Sequence, residues 1–200
     1  MQGNNRDTKL PLALSAASEL PVALDPNNGP CVLGIDAAWT AHQPSGIALV
    51  QNTATGWSCL AVAPSYEAFL AQASGQAWDA EQKATGSRPD PAALLQACQQ
   101  IAGAEVSCVS VDMPLAMSPI TRRRAADTAI SSRFRPKGCA VHSPSADRPG
   151  AIADQLRDDC AALGYPLHTN GSEQATPALS VIPMWPCWPC SSGTTACPTR

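Results

Sequence analysis

The sequence carries no surplus of positive charge. Thirteen Lys and Arg stand against sixteen Asp and Glu, for a formal net charge of −3 and a pI near 5.5. That balance excludes a generally basic nucleic-acid-binding surface, so any phosphate contact must come from a local cluster. No apolar run approaches the roughly 18 residues of a membrane span, so the chain reads as soluble, with no membrane partner. No glycine-rich phosphate loop with its lysine is present, which weakens nucleotide binding as a function. The three histidines, His42, His142 and His168, have no partner spacing and take no role. Nine cysteines are many for this length, but the odd total disfavours a complete disulfide framework. Cys31, Cys59, Cys98, Cys108, Cys139 and Cys160 are scattered, mostly in apolar runs, as reduced cysteines are in a cytoplasmic protein, where they act as small core hydrophobes. Arg6 and Lys9 ahead of an apolar stretch from Leu10 to Ala17 imitate a signal peptide, but Pro11 breaks the stretch and Glu19 soon follows it. A cytoplasmic location is expected.

Two hundred residues suit one domain, large enough for a single sheet with helices on it. Residues 1–30 mix Asn, Pro and isolated Leu without period and read as a disordered tail, closed by the turn-forming Asp25-Pro26-Asn27-Asn28-Gly29-Pro30. Three apolar runs follow: Cys31 to Asp36, Ser45 to Val50 and Trp57 to Ala63. Short loops between them predict an antiparallel meander. Helical signals then take over. Ser65 can cap a segment from Tyr66 to about Ala73, and Asp90-Pro91 offers a cap with proline at the first helical position. Leu94, Leu95, Cys98 and Ile101 follow at helical spacing before Gly103. Val106 to Val111 predicts a fourth strand covered on both faces. A helix starting at Ser118-Pro119 is predicted to run through the arginines. Residues 136–148 read as a loop, and a last helix carries Ile152, Leu156, Cys160 and Leu163 on one face before Gly164. The pattern is α/β, and it ends one strand short.

Two of these strands close on an aspartate, Gly34-Ile35-Asp36 and Ser110-Val111-Asp112. Such an arrangement brings two carboxylates to one edge of a sheet, and hard cations such as Mg²⁺ or Mn²⁺ take oxygen ligands of this kind. Metals held by shared carboxylates stabilise the attacking and leaving oxygens of a phosphodiester displacement, so hydrolysis of nucleic acid is the reaction suggested. The simpler alternative is that each aspartate only caps a turn. The basic run Arg122, Arg123, Arg124, Arg133, Arg135 and Lys137 contains one acid, Asp127, and can hold a phosphate backbone electrostatically; a solvated helix face explains it equally well. Asp127 lies four residues after Arg123 and three after Arg124, so an ordinary ion pair also accounts for it.

Gly34-Ile35-Asp36-Ala37-Ala38-Trp39, Ser45-Gly46, Val111-Asp112-Met113-Pro114-Leu115 and Arg122-Arg123-Arg124-Ala125-Ala126-Asp127 resemble, in order and spacing, the signature segments of predicted RNase H-like nucleases of the domain-of-unknown-function class. The resemblance covers about residues 31–179. It implies an RNase H-like mixed sheet with flanking helices. It also implies Asp36, Asp112 and Asp127 as catalytic and metal-holding acids with Mg²⁺ or Mn²⁺, and nucleic acid as the partner. It specifies no oligomeric state.

Where this chain has Leu179 onward, the resembled family continues with an Ile-Glu-x-Tyr-Pro-His strand, whose glutamate is a further acidic candidate, and then an apolar helix. Neither is present here. Read in the neighbouring frame, one choice among the degenerate codons for Leu179 to Trp185, TTG AGT GTT ATC CCC ATG TGG with a preceding A, gives Ile-Glu-Cys-Tyr-Pro-His-Val. The same shift turns the Trp185-Pro186-Cys187 and Trp188-Pro189-Cys190 repeat into an Ala-Leu-rich helix. Met184 and Trp185 have single codons and force the Val-Ala reading. Residues 180–200 are therefore expected to be a shifted-frame, non-native or disordered tail, with the final strand missing and the nuclease inactive as written. Cys187-Trp188-Pro189-Cys190 as a redox motif or half a zinc site is the competing reading, but no second pair or histidine partner completes it. A rival function is a non-catalytic nucleotide- or phosphate-binding module of the related actin-like ATPase fold.

Overall fold

The computed structural model describes residues 29–79, 81–138, 142–168 and 177–181. Strand β1 (Cys31–Asp36) alternates buried Cys31, Leu33 and Ile35 with half-buried Val32 and Gly34, the period of two that one apolar core face demands. Strands β2 (Gly46–Thr53) and β3 (Gly56–Ala63) continue it as an antiparallel meander. Their tight turn places Gly56 at φ 116°, a conformation that L side chains rarely adopt, and Thr53 Oγ1 donates to the Gly56 carbonyl at 2.8 Å. Helix α1 (Tyr66–Ala73) is capped by Ser65, whose hydroxyl accepts from the Ala68 N–H at 3.2 Å. Helix α2 (Pro91–Ala102) is capped by Asp90, which accepts from the Ala93 N–H at 3.0 Å, and it ends on Gly103 in the left-handed region.

Strand β4 (Val106–Val111) lies parallel to β1. Helix α3 (Ala125–Phe134), a 3-10 turn at Arg135–Lys137 and helix α4 (Ala151–Ala162) follow, then the short strands β5 (Leu167–His168) and β6 (Ala178–Val181). The architecture is α/β, a six-stranded mixed sheet in the order β3-β2-β1-β4-β6-β5. The first three strands are antiparallel, and β4, β6 and β5 run parallel to β1.

One core forms between the sheet and the layer of α1, α2 and α4. Leu33, Ile35, Leu49, Val109, Val111 and Leu179 from the strands meet Phe69, Leu94, Cys98, Leu156 and Cys160 from the helices. Burial pushes the thiols of Cys98 and Cys160 up to about 12, so both are neutral core groups at physiological pH. Tyr165 fastens the end of this layer by donating its hydroxyl to the Val106 carbonyl at 2.7 Å.

Four expectations change. The helix through the arginines begins only at Ala125; Arg122 and Arg123 precede it and Arg124 is its extended first flanking residue. A run of arginines has no apolar stripe to bury, and helices in proteins owe most of their stability to such packing. The final strand expected to be missing is present at least as far as Val181. Leu179 is fully buried on the core face, and β6 covers the edge of β4 that would otherwise be unpaired. Ser180 and Val181 therefore belong to the sheet rather than to a tail, and Gly29 and Pro30 likewise bond to Asn52 beside β1. Lastly, β4 is not covered on both faces by the described residues. Ser107 is exposed and Cys108 and Ser110 are half-buried, because α1, α2 and α4 share one core on the face of Val109 and Val111. Residues 1–28 and 182–200, and with them Cys187-Trp188-Pro189-Cys190, lie outside the described residues.

Candidate functional site

Parallel pairing of β1 with β4 runs in register through Ile35 and Val111, so the next residue of each strand, Asp36 and Asp112, emerges at the same edge. The Asp112 N–H donates to the Ile35 carbonyl at 2.8 Å and extends the ladder to the base of the pair. From β1 the chain turns to β2 on one side, while β4 lies on the other side with β6 next to it. Connections that diverge at the carboxyl ends of neighbouring strands leave a crevice, the usual ligand position of open α/β sheets. Here a groove of about 240 Å³ is lined by Asp36, Asp112, Trp39, Gln43, His142 and Arg148, among others.

The surrounding chain holds these groups in place. Buried Ser45 accepts from the Ala38 N–H at 3.0 Å and ties the loop after Asp36 to the start of β2. Gly86 passes so close to the same loop that an added Cβ would stand 2.3 to 2.6 Å from backbone atoms of His42 and Gln43, so no side chain fits there. Behind Asp112, Met113 and Leu115 are buried, and Arg157 donates to the Ala116 carbonyl at 2.8 Å. Arg148 sits in a turn closed by the Ser145 N–H donating to its carbonyl at 2.7 Å.

Asp36 is exposed and Asp112 half-buried. Burial, and then the negative charge of Asp36, raise the Asp112 carboxyl above the ordinary carboxylate range. Because this folded value exceeds the unfolded one, the contribution of Asp112 to stability declines as pH rises from the ordinary carboxylate range through the raised value. A cation between the carboxylates would relieve the repulsion. Asp36→Asn should lower the Asp112 pKa and leave a residual elevation from burial alone. A carboxyl-carbon NMR titration checks this, and an unmoved Asp112 would show that the two charges do not interact.

Asp127 stands elsewhere. It is buried in the first turn of α3, where Arg124 donates to both its carboxylate oxygens at 2.9 Å. Arg123 donates to the Asp127 carbonyl at 2.9 Å and to the Ser131 hydroxyl. Among the described residues no group of three or more His, Cys, Asp or Glu is arranged to hold a metal ion, so Asp127 does not complete a triad with Asp36 and Asp112. Its lone pairs are spent on a guanidinium fork that the i, i+3 spacing makes local. Asp127→Asn should cost about 1–3 kcal/mol in a denaturant melt, the range for a lost charged hydrogen bond, and leave Mg²⁺ affinity unchanged. Weaker metal binding in that variant would return Asp127 to the site.

The two-carboxylate pair fits Mg²⁺ or Mn²⁺ in the mode where one or two carboxylates hold the ion and water or substrate phosphate supplies the remaining oxygens. Of the basic run, Arg123 and Arg135 line a separate cavity, whereas Arg122, Arg133 and Lys137 are exposed on or beside α3. Gln43, His142 and Arg148 are the polar groove residues to which sequence reasoning gave no role. Trp39 meets His142 edge to face, ring centroids 5.9 Å apart, an approach of distant segments that no local spacing announces. The turn chemistry of Asp147-Arg148-Pro149-Gly150 was the available signal for Arg148. Compared with protein-family models, with curated proteins and with solved structures, the chain matches none.

Proposed function

We propose that this chain is a metal-dependent phosphodiester hydrolase of the RNase H-like kind that acts on nucleic acid, and that β6, present as far as Val181, removes the missing strand from which inactivity was expected. The observation that carries the reading is the pair Asp36 and Asp112 on adjacent parallel strand ends, close enough that one charge raises the pKa of the other. Asp36 and Asp112 would hold Mg²⁺ or Mn²⁺, which when bound supplies charge stabilisation to the oxygens of the phosphoryl group. Exposed Arg148, on the same groove, neutralises phosphate charge and orients the scissile group. Trp39 offers a ring face or edge to a base or sugar. His142, packed against Trp39 on the same groove, would pass a proton to a departing oxygen. A cytoplasmic setting suits the thiols of Cys31, Cys98 and Cys160, each free and buried. No helix of the described residues is long and apolar enough to cross a membrane.

The test is cleavage of end-labelled single- and double-stranded DNA and RNA with Mg²⁺, with Mn²⁺ and with a chelator. Metal-dependent products support the reading. No cleavage of any substrate, together with nucleotide binding by calorimetry, would replace it with the non-catalytic phosphate-binding module of an actin-like fold.

A further inference from the structure

A second cavity, of about 540 Å³, shares no lining residue with the acidic groove and is formed by Arg123, Thr128, Ser131, Ser132, Arg135 and Pro136. Among the described residues its chemistry is of one sign: two guanidiniums and three hydroxyls line it, and no carboxylate does. The acid nearest in sequence, Asp127, is turned to Arg124, whose fork occupies both its oxygens. Arg123 is held in place by the Asp127 carbonyl and the Ser131 hydroxyl, so its charge is oriented before any ligand arrives. Arg135 is exposed, and no hydrogen bond or ion pair of its side chain is seen among the described residues. The negative end of the α3 dipole, about half a charge, is outweighed by Arg133 and Arg135. The volume lies within the roughly 300–1,000 Å³ range of small-ligand sites.

We propose that this cavity is an anion site that holds a backbone phosphate of the nucleic acid strand at a distance from the reacting one. The choice of a phosphodiester as ligand rests on the nuclease reading of the acidic groove; the anion site itself rests on the guanidiniums and hydroxyls. Arg135 supplies the fork that closes on the phosphate, Arg123 the fixed charge beneath it, and Thr128, Ser131 and Ser132 the surrounding hydroxyls. Contact with phosphate outside the groove sets strand position and affinity without reading sequence.

The experiment uses the full chain and three variants, Arg135→Ala, Arg135→Lys and Asp36→Asn. Binding of a labelled oligonucleotide is followed by anisotropy across a salt series without divalent metal, and inorganic phosphate is titrated by amide NMR. Arg135→Ala is expected to bind the oligonucleotide about tenfold more weakly, as for one lost charged hydrogen bond. Its slope against log salt should fall by about one unit. Arg135→Lys should restore the slope and only part of the affinity, because it keeps the charge and loses the fork. Inorganic phosphate should shift amides of residues 123–135 in the parent and not in Arg135→Ala. Asp36→Asn should leave the phosphate-induced shifts around Arg123 and Arg135 unchanged, because Asp36 lines only the acidic groove, so loss of cleavage and loss of the anion site are read separately. Oligonucleotide affinity and slope unchanged in Arg135→Ala overturn the proposal; if phosphate binding alone is lost, the ligand is free phosphate and the strand contact is refuted.

Discussion

Asp36→Asn is expected to lower metal-dependent cleavage by at least about 10³-fold, equivalent to the several kcal/mol of charge stabilisation that a metal contributes to phosphoryl transfer. The substitution keeps the shape of the side chain and removes one of the two charges at the β1–β4 edge. Asp36 is exposed, so the fold should survive with a stability change within about 0.5 kcal/mol. Two readouts isolate the effect: turnover at saturating Mn²⁺, and a denaturant melt on the same preparation. Turnover equal to that of the parent chain would remove Asp36 from the site, and with it the argument from paired strand ends. Asp112→Asn should behave alike in turnover. It should differ in stability, because it removes a half-buried carboxyl whose ionised form the fold disfavours.

Phe69→Ala is expected to cost about 3–5 kcal/mol, a large part of the 5–15 kcal/mol that holds a domain of this size together. Phe69 is fully buried on the face of α1 turned toward the sheet, among the side chains that join the helical layer to the strands. Its removal leaves a cavity that rigid strand backbones cannot close. Val62→Ala is the contrasting substitution. Val62 is 65% exposed on the opposite face of β3, and its truncation should stay within about 0.5 kcal/mol. Urea melts of both variants measure the difference. Similar losses for the two would mean that both faces of the sheet are covered in solution, and a small loss for Phe69→Ala would mean that α1 is not part of the core.

The parts of the fold that were legible beforehand are those written in short-range chemistry. Cys31–Asp36 and Val106–Val111 form strands over the residues that the apolar runs marked. Ser65, Asp90 and Gly103 start and stop helices by bonds that reach no more than four residues, and Pro91 by a fixed φ already suited to the first turn. The arginine segment misled because Ser118-Pro119 has the form of a helix start while only Ile120 stands between it and the arginines, too little apolar surface to hold a helix. β6 was missed because Pro183 and Pro186 closely follow a four-residue strand, and so short a run is outweighed by the prolines around it.

Local order, then, was set along the chain itself: where strands alternate, where helices are capped, and that two strands each end in a carboxylate. Which carboxylates meet was decided by the crossover that laid β4 beside β1 in parallel, a pairing whose partners lie more than seventy residues apart and are chosen by burial of a shared face. Asp127 stays with Arg124, because a salt bridge between residues three apart at the start of a helix forms without any tertiary contact. His142 and Arg148 reach the groove only through the loop that returns ahead of α4, and charge and ring geometry gathered from distant segments leave no period in a sequence.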